Sequence, residues 1–263
     1  MTYEVREFAR VAKTVRTVSI AAWILLLVPG GAAFIGHHHA GPRSSMLRTM
    51  PSHVVLAVLP GISLVLGRVV MLAAMMSPML IAPLCHIRLR SLRRRRARAT
   101  ILFVAAYVGV WLLIGYLLLA ITAAATVFSG GSYLPATIVL FAALAWQFSP
   151  AKQRCLNGCH GYSRLAAFGT AADVDALRYG VNHAGWCIGS CWAWMLLPML
   201  CLRGHLLVMA VITILLFCER LEEARSPSWG VRGTRKAARI LVAQTRIHLR
   251  PYAPFGFTRT TIW

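Results

Sequence analysis

The sequence predicts an all-α protein, a polytopic transmembrane helical bundle of about six spans with both termini cytoplasmic. Three observations lead there. Of 263 residues, 58% are hydrophobic and only 13% charged, about half the charged share of a soluble domain. The apolar residues gather into stretches near the roughly 20 residues that cross a bilayer. Lys and Arg number 28 against 7 Asp and Glu, a formal net charge of +21, and the basic residues crowd into alternate connections. This composition excludes an ordinary soluble globule, a disordered acidic tail and a disulfide-stapled secreted module. The few acids leave little material for carboxylate acid/base chemistry.

In chain order, residues 1–17 form a basic cytoplasmic tail, and residues 18–223 hold the bundle. The apolar stretches are residues 18–35, 62–87, 101–122, 134–148, 180–202 and 205–218. The first follows a basic segment and ends in no small-x-small cleavage site, so it reads as an uncleaved anchor. Pro60-Gly61, Pro78 and Pro83 interrupt the helix ladder of the second. A cytoplasmic loop covers about 150–179. Residues 224–263 form a second basic tail, within which 234–250 read as an interfacial helix on the inner leaflet.

The charges orient the chain. Arg6, Arg10, Lys13 and Arg16 precede the first span, seven arginines lie between Arg88 and Arg98, and Lys152, Arg154, Arg164 and Arg178 follow the fourth span. With the C-terminal tail, 24 of the 28 basic residues fall on one side, a strong positive-inside asymmetry. The expected location is a bacterial inner (plasma) membrane, multi-pass. The basic clusters attract anionic headgroups at about 1 kcal/mol per residue. Nucleic acid is not an expected partner, because the charge accompanies spans and no recognition module is visible.

Seven cysteines without a large external domain do not read as a disulfide framework. Their spacing carries more. Cys155 and Cys159 are four apart, as are Cys187 and Cys191, and residues four apart share a helix face. In the fifth span the pattern extends to His183, Cys187, Cys191 and Met195. Each step advances about 6 Å and rotates about 40°, so the stripe covers about 18 Å. No single ion touches all four; the stripe offers a pair of ligands or a series of stations. The second span carries Met71, Met75, Met76 and Met79 at similar depth, closed by Cys85-His86. His160 adjoins the first cysteine pair, and His37, His38 and His39 lie in an external loop.

Thiolate and thioether donors suit Cu(I) best, and zinc where four N/S ligands assemble; they do not suit calcium or magnesium. The competing reading is packing, since Met and Cys are soft, small core residues at helical spacing. The coincidence of two cysteine pairs, a histidine in register and a methionine ladder favours metal handling. The cuprous reading requires spans two and five to present their sulfurs to each other.

Three strings carry a resemblance: Met71–Pro78 (MLAAMMSP), Gln147–Cys159 (QFSPAKQRCLNGC) and Gly185–Met195 (GWCIGSCWAWM), followed by Glu219-Arg220. Together, over about residues 55–223, they resemble a bacterial family of predicted metal-binding integral membrane proteins, copper-chaperone-like and tyrosinase-associated. The resemblance implies metal binding, copper above all, and delivery to a partner cuproenzyme. The ligands it implies are Met71, Met75, Met76, Cys155, Cys159, Cys187, Cys191 and Met195. One position departs: Ser190 precedes Cys191 where the family pattern has two adjacent cysteines.

The expected function is a non-enzymatic, membrane-embedded Cu(I) chaperone or metal-delivery factor, with His160 and His183 joining the sulfur ligands. A metal transporter or channel is the alternative, supported by the broken second span. A structural assembly subunit of a membrane complex is another.

Overall fold

The computed structural model describes residues 3–28, 55–130, 132–201 and 204–230, with residues 236, 238–240, 242–243 and 245 in a C-terminal helical segment. The external histidines 37–39 lie outside the described residues, as does most of 234–250.

The described residues are helical, without strands. They form α1 (Tyr3–Leu27), α2 (Val55–Met76), a 3-10 turn (Ser77–Leu80), α3 (Ile81–Arg90), α4 (Arg96–Phe128), α5 (Leu134–Phe148), α6 (Pro150–Gly158), α7 (Gly169–Leu200) and α8 (His205–Leu221). Two stretches are long and apolar enough to cross a membrane, Val65–Arg90 and Arg96–Phe128. A third qualifies if α5 and α6, bent 69° at their junction, count as one. Residues 180–200 of the stretch expected at 180–202 lie inside α7, whose first half is polar, and α8 is only 17 residues long.

α7 is the hub. Its longest interface is with α4, and α5, α6 and α8 also pack on it, while α1 lies against α2, the 3-10 turn and α3. The sequence of α7 explains its choice of neighbour. Ala176, Gly180 and Ala184 recur every four residues and form a stripe of small residues, the pattern that lets helix backbones approach closely. At Gly180 a Cβ would sit 2.6 Å from the Phe103 carbonyl oxygen and 2.8 Å from the Ala106 Cβ, so only glycine permits this crossing.

Of the expected interruptions, the one at Pro78 breaks the second span, whereas α2 runs on through Pro60-Gly61 and α3 through Pro83; α1 repairs the break. Pro78 has no N–H to give to the carbonyl four residues back, that of Ala74. Ser19 Oγ donates to that oxygen at 2.9 Å and Trp23 Nε1 at 3.0 Å. Met75 and Met76, which follow Ala74, are fully buried. At the other end of α1, buried Glu7 accepts from Arg88 at 2.7 Å. The Arg88 hydrogen bond and the nearby guanidinium charges hold the Glu7 carboxyl below the usual carboxylate range.

The double substitution Ser19→Ala, Trp23→Phe leaves the Ala74 carbonyl buried and unpartnered. It is expected to destabilise the detergent-solubilised protein on the order of 1–3 kcal/mol, read as a lowered thermal transition. An unchanged transition would show that the repair lies elsewhere.

Candidate metal centre

The ladder of α7 faces inward. His183, Cys187, Cys191 and Met195 are all buried, and Met71, Met75 and Met76 lie in the same continuous core. α2 and α7 nevertheless do not form one of the principal helix pairs among the described residues, since α4 covers most of the length of α7. Periodicity places side chains on a face but does not order the helices around it. The two sulfur sets approach at one end, where Met71 and Met195 line a small cavity of about 30 Å³ with Arg68, Trp111 and Met199.

The closest neighbours of the α7 thiols come from other helices. Phe103, Tyr107 and Trp111 recur every four residues along α4, and Tyr107 donates its hydroxyl to Cys187 Sγ at 3.3 Å. Within α7, Cys191 Sγ donates to the Cys187 carbonyl at 3.0 Å. Ser190 donates to the same oxygen at 2.7 Å.

Cys155 and Cys159, expected in a cytoplasmic loop as a separate station, are carried by α6 and the residue that caps it, against α7. A Cβ on Gly189 would lie 2.6 Å from Cys155 Sγ, so the missing side chain makes room for that thiol. Cys159 is buried and lies within electrostatic reach of Cys187. Cys155 is half-buried and His160 is exposed. The two pairs thus form one neighbourhood, although among the described residues no three His, Cys, Asp or Glu side chains converge as a ready-made metal cage.

A buried polar network fastens α6 in place. Ser149 caps the helix by accepting from the Lys152 N–H at 3.1 Å, which starts the sharp turn after α5. Lys152 then reaches inward to Glu219 at 2.9 Å, each side chain only 1% exposed. Gln147 donates to Glu219, and its own oxygen accepts from Lys152 and, at 2.8 Å, from Trp194 Nε1. Three residues of the family-like strings, Gln147, Lys152 and Glu219, therefore act in assembly.

His183 is buried with its polar atoms unsatisfied. It is 2% exposed, yet neither ring nitrogen has a hydrogen-bond partner. Phe103, Tyr107 and Tyr179 surround it, each with a ring centroid 6.0 Å away. It lines a cavity of about 170 Å³ shared with Gly158, Gly161, Tyr162, Asn182 and Trp186. A buried imidazole without partners is costly in isolation, and water or a metal ion at the cavity wall relieves it. Soft sulfur donors one and two turns further on fit a cuprous ion.

The chain matches the model of the PpoB2 family, described as a copper chaperone, over residues 65–243. It belongs to that family. No curated protein and no solved structure matches it. The PpoB2 match spans α4 to α8 and the methionine stretch of α2. Copper is thus the cargo against which the donor set is to be judged. Sequence reasoning did not single out Tyr107 as a neighbour of the thiols. The four-residue spacing of aromatic residues on α4 was the available signal for Tyr107.

Lys152→Met is expected to destabilise the protein by about 3–5 kcal/mol by leaving Glu219 buried without its cation. Adding Glu219→Met to it is expected to recover most of the loss. Thermal unfolding of the single and double variants checks this; no recovery would show that the two side chains act independently.

Proposed function

We propose that the protein is a membrane-embedded Cu(I) chaperone that holds its ion on Cys187 and Cys191. His183 stands on the loading side, Cys155 and Cys159 flank the pair as exchange ligands, and Met195 with Met71, Met75 and Met76 continues the soft path. The observation that carries this reading is the buried ladder on α7, with an unpartnered histidine at its cavity end. Membership in a copper-chaperone family supplies the cargo. Zinc, which takes four ligands in closed sites, finds less support in a donor set that does not converge as a cage.

Membrane embedding is supported by composition, by the two long apolar helices and by outward-facing apolar side chains on α4, α5 and α8, such as Leu113, Phe141 and Ile214. An apolar exterior of this extent needs lipid or protein to cover it. In this reading the chain passes a bacterial inner membrane several times, six by the sequence pattern, with both termini cytoplasmic. The recipient is a cuproenzyme, and no step of the function is catalytic.

Purified under reducing conditions, the protein is expected to retain close to stoichiometric copper. Cys187→Ser with Cys191→Ser is expected to abolish that copper while leaving the fold intact. Elemental analysis decides, and unchanged copper in the double variant would remove the thiol pair from the site.

A transporter is the second reading, and one observation favours it: cavities lie at both ends of the ladder, one at His183 and one at Met195. A carrier is expected to take up cuprous ion into proteoliposomes. Binding without uptake assigns the chaperone role.

A further inference from the structure

We propose that His86 is a positioning residue for ion loading: it holds one wall of the cavity beside His183 and so sets how fast an ion reaches that imidazole and leaves it. The proposal rests on the reading of His183 as the ligand on the loading side. The walls of the cavity differ in how they are held. Tyr179, Asn182, His183 and Trp186 belong to α7, and Gly158 ends α6. Those two helices pack so closely that a Cβ on Gly158 would overlap the Trp186 ring. The remaining wall is Gly161, Tyr162 and Ser163, and residues 161–168 form no helix. Their backbone is tied near both ends. Gly161 N–H donates to the Gly158 carbonyl at 3.0 Å and Ala166 N–H to Asp175 Oδ2 at 2.9 Å.

His86, on α3, supplies a tie in between. Its Nε2 lies 3.0 Å from the Ser163 carbonyl oxygen, which can only accept, so the imidazole donates. Its ring stacks on Tyr162, with centroids 4.7 Å apart and planes within 27°, and meets Tyr179 edge-on at 5.7 Å. One side chain thus grips two wall residues and the helix that carries His183. A tie of this kind acts on rates, as loops that cover binding sites do. The α7 donors stay where they are when the wall loosens. Arrival and departure of the ion then speed up by the same factor, and retention at equilibrium does not change.

The full-length reduced protein in detergent is loaded with Cu(I), and transfer to and from bathocuproine disulfonate is followed by the absorbance of the chelator complex. His86→Ala is expected to speed both directions by roughly tenfold, the scale of one hydrogen bond and one ring stack together, with the copper held at equilibrium unchanged. His86→Gln, whose amide nitrogen can stand where Nε2 stood, is expected to restore most of the wild-type rate. Tyr162→Leu removes the stack from the loop side at an exposed position and is expected to speed exchange part of the way. A second readout needs no metal: carbethoxylation of His183 in the apoprotein, mapped by mass spectrometry, is expected to accelerate in the same order. Unchanged exchange and unchanged His183 modification in His86→Ala, or in Tyr162→Leu should His86→Ala not fold, overturn the proposal. Copper lost at equilibrium without faster exchange also overturns it, being the mark of a structural defect. Faster modification with unchanged copper exchange instead removes His183 from the loading side, and a wild type that retains no copper overturns the whole reading; in both cases the role of His86 falls with it.

Discussion

The neighbourhood of the thiols depends on the buried ion pair between Lys152 and Glu219. Without it, α6 is a short polar helix after a sharp turn, with no reason to leave water. The pair draws α6 down onto α7 and α8, and Cys155 and Cys159 come with it. Buried ion pairs seldom add net stability compared with apolar replacements. Here the pair gives position: it fixes where two helices meet.

The all-helical class and the buried ladder were legible in the sequence because both are written in composition and period. Residues four apart on a long apolar helix share a face whatever surrounds them, and a small-residue stripe runs along the same helix. The location of α6 was less legible. Lys152, Gln153 and Arg154 read as loop because charged residues are normally solvated, and only a partner 67 residues away explains a lysine that is 1% exposed. The neighbours of the ladder were not legible either. Nothing in the methionine spacing of α2 states that α4 occupies most of the α7 face.

The proposed site is soft and incompletely enclosed. Its proposed donors lie on two neighbouring turns of α7 and on α6, with Tyr107 donating a hydrogen bond to the Cys187 sulfur. A closed four-ligand cage holds a metal as part of the fold. A set spread along about 18 Å of helix suits an ion that must also leave. Ser190, in place of a second adjacent thiol, keeps the set sparse and donates its hydroxyl to the Cys187 carbonyl instead.

The contact of α1 with Ala74 reaches beyond stability. Residues 3–27 lie outside the stretch shared with the copper-chaperone family, yet their Ser19 and Trp23 supply the hydrogen bonds that proline denies to the turn holding Met75 and Met76. A fragment trimmed to residues 65–243 would keep every proposed sulfur ligand and lose the two donors that satisfy the Ala74 carbonyl, so holding that turn takes more of this chain than the matched stretch.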